Sequence, residues 1–558
     1  MNSTNDGDQM GPSPDPATPA HPNRDSEPAI SRLNLLLGAA ALFVAVVAFA
    51  VVTRPVTWLL GYVADDAFYY LQIARHIAMG HGATFDGINP TNGFHPLWML
   101  LLVGCAAITH TSITLLKLSL ALSFALHIAG SLALTGFFRR IVGPVPGTYL
   151  GIAWMVNPFP LQLCVLGMES SVSILCVALI LYWRVRFAGQ TSNSDGAPLS
   201  HMVVLGVLLA AATYARTDLA IVGVFVLASL AVRSRTTILN AVPGAAKRRI
   251  VGLAVAIGVW AFCLVPWAIV SHSITGSLVQ DSAQMKSLWT ERMLSSATPA
   301  MLVRHVAWAL VYPWTSRTLR LSSGWSDDDS PAWLVGYVIA LALLIVAARK
   351  SLLVPIARVY TLWFLGFVLV TGIAFGIAVE FVQLWHSAVA GLLLLSVAGI
   401  WLAAAVATVR DERNKRWAWG TVCIIPALLS VGAIFASNPY YPWQRDVYAS
   451  QPKFEEMVPA GARIGCINAG IPAYFSKRTI VNLDGLVNHG ILPYWRSNRM
   501  DAYLRDAKIE YVIDDVPSLL KLQLFCARNK LPIKPMANYP MQNVADPGRL
   551  MGRVVASP

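Results

Sequence analysis

The chain has 558 residues, of which 56% are hydrophobic and only 13% charged, and its mean hydropathy is +0.57. A water-soluble protein of this length could not cover so much apolar surface, so the composition points to an α-helical polytopic membrane protein. The formal net charge of +13 does not indicate a nucleic-acid binder, because the basic residues sit in short clusters between apolar stretches. That pattern is an orientation signal, not a groove that tracks phosphates.

Residues 1–30 are rich in Pro, Asp and Ser and lack the basic-then-apolar order of a signal peptide. They are expected to be a disordered cytoplasmic tail. Residues 31–437 are expected to carry about 11 transmembrane helices, at roughly 35–52, 113–138, 147–166, 170–186, 201–215, 218–232, 250–271, 331–347, 360–378, 387–408 and 418–436. The apolar run Leu97–Ile108 is excluded. At about 1.5 Å per residue it reaches only about 18 Å, short of a ~30 Å hydrocarbon core, and reads as a re-entrant or surface helix. The runs 201–215 and 218–232 are also short and read as a broken pair.

Positive charge supports this count. With the N-terminus inside, Arg139-Arg140, Arg184 and Arg186, Lys247-Arg248-Arg249, Arg349-Lys350 and Lys415-Arg416 all fall in cytoplasmic loops. Counting 97–108 as a span would put Arg139-Arg140 outside. The same topology gathers Asp65-Asp66, His95, Glu169, Arg216-Thr217-Asp218, Lys286, Glu380 and His386 at or near the outer membrane face. Charge alone had no reason to collect them there.

The first outer loop, 53–112, is the densest in polar and aromatic residues. Asp66–Met79 has helical habit, and Gly80 and Gly82 suit its end. One of Asp65 and Asp66 could cap that helix. The other is then in excess, suited to take a proton from an attacking hydroxyl or to help hold a divalent cation such as Mg or Mn. Residues 438–558 contain strand-like runs at Arg463–Ile467, Thr479–Leu483 and Tyr511–Ile513, and are expected to form a small extracytoplasmic α/β domain. Its Cys466 and Cys526 are expected as two separate buried thiols in preference to a disulfide, and the other five cysteines lack metal-ligand spacing.

The run from Asp65 to Trp98, with its Asp-Asp-Ala-Phe-Tyr-Tyr opening, Gly80-His81-Gly82 turn and Asn92-Gly93-Phe94-His95-Pro96-Leu97-Trp98 close, resembles the GT-C superfamily of membrane glycosyltransferases. Within it, the chain is most similar to the bacterial arabinofuranosyltransferase and galacturonosyltransferase-like group. Gly167–Ser170, Ala215–Asp218, Gly276–Lys286 and Asn482–Asn488 extend the likeness, although Asp218 stands where relatives often carry Glu. The resemblance implies a multi-pass protein of a bacterial inner membrane that moves a sugar from a polyprenyl-phosphate donor, with inversion, to a polysaccharide or glycolipid acceptor on the outer face. It implies an Asp general base, Asp65 or Asp66. Arg216 and Lys286 become candidates to meet the charge of the departing phosphate, with Arg75 and His95 behind them.

Each candidate has a plainer role beside it. Glu169 could cap the helix that starts near Ser170, Arg216 and Asp218 could pair with each other, and His386 could be an interfacial residue. Asp327-Asp328-Asp329 reads as a solvated run, and of the aromatic residues Trp98 and Trp385 are those worth testing against a sugar ring. A flippase of lipid-linked sugars would predict charges near the bilayer midplane and an internal repeat, and neither is prominent. An assembly protein that merely anchors the tail would not need paired acids.

Overall fold

The computed structural model describes residues 27–109, 111–187, 198–238, 245–303, 306, 355–378, 383–436, 439–526, 532–539 and 549–554. The expected tail at 1–30 falls almost wholly outside the described residues. The expected span 331–347, Asp327-Asp328-Asp329 and Glu380 lie outside them too. In chain order the helices used below are α1 (Glu27–Val52), α2 (Val56–Leu59), α3 (Asp65–Ala78), α4 (Pro96–Ala107), α5 (Ser112–Val142), α6 (Pro144–Met155), α7 (Pro158–Val165), α8 (Ser170–Phe187), α9 (Leu199–Ala215), α10 (Ala220–Ile238), α11 (Ala245–Thr275) and α12 (Asp281–Ser296). They continue with α13 (Pro355–Ala378), α14 (Ala388–Ala407), α15 (Glu412–Val431), α16 (Trp443–Met457) and α17 (Gly470–Phe475).

Among the described residues, seven helices are long and apolar enough to cross a membrane: Ser31–Val52, Ser112–Val142, Ser170–Phe187, Lys247–Thr275, Arg358–Phe375, Leu384–Ala407 and Glu412–Phe435. They match seven of the eleven expected spans, and the chain is a multi-pass membrane protein. Three more apolar helices are shorter, Pro96–Ala107, Leu199–Ala215 and Thr217–Val232. The pair expected to be broken is broken at Arg216, whose extended backbone (φ −156°, ψ 130°) separates α9 from the turn that starts α10.

The expected single span at 147–166 is instead two short helices, α6 and α7. Pro158 cannot donate to the helical ladder and pushes the residue before it out of helical conformation. Asn157 accordingly sits at φ −72°, ψ 137° and restarts the helix by accepting the Phe159 N–H at 2.9 Å. Several polar groups within the bundle find their partners on neighbouring backbone, as a membrane interior favours. Ser131 and Thr135 donate to carbonyls one turn back, and His127 Nε2 donates to the Met155 carbonyl at 2.8 Å.

The C-terminal segment forms a five-stranded sheet. Its strands are β1 (Arg463–Cys466), β2 (Thr479–Asn482), β3 (Tyr511–Asp515), β4 (Ile533–Tyr539) and β5 (Arg549–Val554), ordered β2-β1-β3-β5-β4. The first three strands in that order are parallel, and β5 and β4 add antiparallel. The buried runs Ile464–Cys466, Ile480–Asn482 and Tyr511–Asp514 suit a sheet covered on both faces. Cys466 and Cys526 are two buried thiols, as expected, and Cys466 Sγ lies 3.4 Å from Asp514 Oδ2.

This sheet segment is docked on the helices. The Phe68 ring of α3 lies 5.5 Å from Tyr474 and 5.6 Å from Phe475, and one apolar core runs from the membrane helices into Ile464, Ile471 and Tyr474. A second core joins Met285 and Leu288 of α12 to Val481, Leu483, Ile491 and Trp495. The site described next lies where these two contacts converge.

Candidate active site

Helix α3 begins at Asp65 with Ala64 in the capping position, and no side chain caps it. The expectation that one acid caps this helix is therefore corrected. Asp65 accepts instead from the tail, taking the N–H of Ile471 at 3.1 Å and of Gly470 at 3.2 Å. A Cβ at position 470 would run into the Asp65 carbonyl oxygen, so only glycine permits this approach. Successive helical residues are about 100° apart, which turns Asp66 away from that contact.

Asp66 lines a cavity of about 370 Å³. With Tyr69 and Tyr70 it forms the α3 wall, and Gly93–His95 adds the end of the first loop. Glu169, Arg216–Asp218, Gln280 and Lys286, and Trp385-His386 close the helical side, while Leu486-Val487 comes from the tail. The tail reaches in because Gly93 has no side chain, and a Cβ there would strike the Leu486 carbonyl.

Arg216 is the hub of the inner wall. It forks onto Asp218 through Nε (3.0 Å) and Nη2 (3.2 Å), and its Nη1 donates to Glu169 Oε1 at 2.7 Å and to the Trp385 carbonyl at 3.2 Å. Glu169 is 1% exposed, and its Oε2 has no hydrogen-bond partner among the described residues. Glu169 thus places its carboxylate in the inner wall while its backbone carbonyl accepts the Ser173 N–H. His95 Nε2 lies 3.9 Å from Glu169 Oε1, and its Nδ1 lies 3.4 Å from Thr217 Oγ1. Burial pushes His95 down to about 4, against the pull of Glu169, so its imidazole is neutral at physiological pH.

Lys286 and His386 meet at 3.4 Å, Nζ to Nε2. His386 Nδ1 accepts the Gln383 N–H at 3.1 Å, so in the neutral ring the proton belongs to Nε2. Nε2–H and the Lys286 ammonium are then both donors directed at the same space, an arrangement that suits an anionic oxygen. Burial holds Asp66 above the usual carboxylate range, opposed by Lys286, and holds Lys286 below the usual amine range, opposed by Asp66. Each charge supports the other across the cavity.

Seven of the nine residues singled out in the sequence share this cavity: Asp66, His95, Glu169, Arg216, Asp218, Lys286 and His386. Two do not. Asp65 faces the tail. Arg75 donates to Ser112 Oγ at 2.8 Å and Gln72 Oε1 at 2.6 Å and stacks on Tyr474, which makes it a joint between α3 and the tail. Trp385 lines the cavity, whereas Trp98 is fully buried in the core.

The sequence reading missed Tyr69, Tyr70, Gln280 and Asp484. Tyr69 donates to Asp484 Oδ2 at 2.9 Å, and burial pushes Asp484 up to about 7. The tyrosines follow the paired acids directly, and Asp484 lies in the Asn482–Asn488 block, so both were within reach. Gln280 lies in the Gly276–Lys286 block and was within reach in the same way.

Asp65 and Asp66, the two acids offered for a divalent cation, do not face one site. Asp65 is spent on two backbone N–H groups, and Asp66 shares its cavity with an ammonium. Among the described residues no three His, Cys, Asp or Glu side chains converge as a metal site.

A family model described as a domain of unknown function (DUF8728) matches residues 447–546. No curated protein matches the chain in sequence. Among solved structures, the archaeal oligosaccharyltransferase AglB from Archaeoglobus fulgidus, in complex with an inhibitory peptide and a dolichol-phosphate, is similar at a TM-score of 0.53 and 13% identity, over 91% of this chain and 72% of that one. The apo form of the Archaeoglobus fulgidus oligosaccharyltransferase gives 0.51 and 12%, over 92% and 75%. ArnT from Cupriavidus metallidurans, bound to undecaprenyl phosphate, gives 0.49 and 14%, over 92% and 98%. The chain shares the fold of these oligosaccharyltransferases.

Proposed function

We propose that the protein is a glycosyltransferase of GT-C type. It moves a sugar from a polyprenyl-phosphate donor to a hydroxyl of a polysaccharide or glycolipid acceptor on the outer face of a bacterial inner membrane. The observation that carries this reading is a single cavity in which the Asp66 carboxylate faces the paired donors of Lys286 and His386. As the acceptor oxygen bonds to the anomeric carbon, its proton passes to Asp66. The bond from that carbon to the phosphate oxygen breaks, the electron pair stays on the phosphate, and Lys286 and His386 meet the charge. Attack from the face opposite the departing phosphate inverts the sugar.

Asp66 is the base in this reading, and Asp65 fastens the first loop to the tail. Its raised pKa suits Asp66 to proton transfer nearer neutrality than a solvated aspartate. The free Glu169 Oε2 accepts a sugar hydroxyl, and Arg216, matched by two carboxylates, holds the wall together. Residues 31–437 form the membrane domain and 438–558 the outer domain, with the N-terminus cytoplasmic.

The test is transfer of radiolabelled sugar from a panel of polyprenyl-phosphate donors in membranes, comparing wild type with Asp66→Asn and Asp65→Asn. Asp66→Asn is expected to lower kcat by about 10²–10⁴-fold at unchanged protein level. Transfer that survives Asp66→Asn would remove the assigned base.

A further inference from the structure

Asp281 is the first residue of α12, is 2% exposed, and does not line the cavity. Three chain segments converge on it. Its Oδ2 accepts from the Thr91 hydroxyl at 2.8 Å and the Asn92 N–H at 3.2 Å, both in the first outer loop. Its Oδ1 accepts from His489 Nδ1, in the tail, at 2.7 Å. Its own N–H donates to Asn92 Oδ1 at 2.9 Å, so loop and helix are joined in both directions. A buried carboxylate is tolerated only when its oxygens are met in this way.

The rest of α12 is fixed by the same tail. Met285 and Leu288, three apart on one helical face, bury among Leu483, Ile491 and Trp495, and Arg292 donates to the Trp495 carbonyl at 2.6 Å. Lys286 follows Asp281 by five residues, about 7.5 Å of helical rise, and projects into the cavity. Where the ammonium sits is therefore decided by a joint outside the cavity.

Resting on the function proposed above, we infer that Asp281 is a positioning residue: held by Thr91, Asn92 and His489, it sets α12 so that Lys286 meets the donor phosphate, which makes the tail a partner in donor binding.

The experiment measures the affinity of the full-length protein in detergent for undecaprenyl phosphate, for wild type, Asp281→Asn, His489→Ala, Lys286→Met and the double variant Asp281→Asn with Lys286→Met. Thermal unfolding is followed in parallel. Asp281→Asn is expected to weaken binding by about 10-fold and His489→Ala by less. In the Lys286→Met background, Asp281→Asn is expected to add nothing, because its effect passes through that ammonium. Should Asp281→Asn fail to fold, His489→Ala, alone and combined with Lys286→Met, gives the same comparison. Wild-type affinity in the folded single variants, or equal weakening with and without Lys286, would overturn the inference while leaving the function intact. Absence of binding by the wild type would instead remove the donor reading, and this inference with it.

Discussion

Asp65 and Asp66 are neighbours with different duties, and substitution should separate them. Asp65→Asn keeps the shape but weakens two charge-assisted hydrogen bonds to the tail. It is expected to lower the unfolding temperature with a loss of kcat far smaller than that of Asp66→Asn, checked by calorimetry beside the transfer assay. The pH profile should carry the mark of burial. As the proposed base Asp66 must be ionised, and its pKa is raised, so kcat/KM should fall on acidification at a higher pH than the ~3.9 of a solvated aspartate. As the proposed phosphate ligand Lys286 must be charged, and its pKa is lowered, so the alkaline limb should begin below ~10.4. Asp484, raised to about 7 by burial, favours the folded state while protonated. Its contribution is complete below the unfolded value near 4 and is lost as pH rises through about 7. Unfolding temperature should accordingly decline over that window, and Asp484→Asn should flatten the decline. Site residues were legible because membrane topology leaves few reasons for an acid to follow an apolar span. Which acid faced the cavity was not, since that depends on a tail residue 405 positions away.

At the scale of elements, the joint between α9 and α10 and the helix α12 do contrasting work. Arg216 is buried and balanced by Glu169 and Asp218, so Arg216→Ala leaves two carboxylates without their cation. We expect a stability loss of about 3–5 kcal/mol, measured by thermal unfolding, and loss of assembled protein before any kinetic change. Lys286→Met should do the reverse, leaving the fold and weakening the donor. From sequence Arg216 is expected as a phosphate ligand or as the partner of Asp218, with no means to decide, because Glu169 reaches it from a segment 47 residues earlier. Hydropathy found the long spans readily. It failed at 147–166, a mostly apolar stretch in which a proline divides the ladder. The two glycine contacts give a further test. Gly470→Ala and Gly93→Ala put a methyl group into backbone oxygen, and each is expected to loosen the tail, seen as faster proteolysis of residues 438–558 in intact membranes.

The whole molecule is a membrane bundle with a small sheet domain pressed onto its first loop. Composition and charge clusters sufficed for the class, and short strand-like runs for the existence of the sheet. What they could not carry is the docking, because contacts between remote segments leave no periodic trace in either partner. That docking also sets a timetable for the protein's synthesis. Tyr69 and Asp484, which meet beside the cavity, are 415 residues apart. At about 5–20 residues per second, ribosomes need on the order of 20–80 s to travel between them. Throughout that interval the first loop lacks the tail contacts made at Asp65, Tyr69 and Gly93, so the wall of the cavity is incomplete until the C-terminal segment has been made and folded.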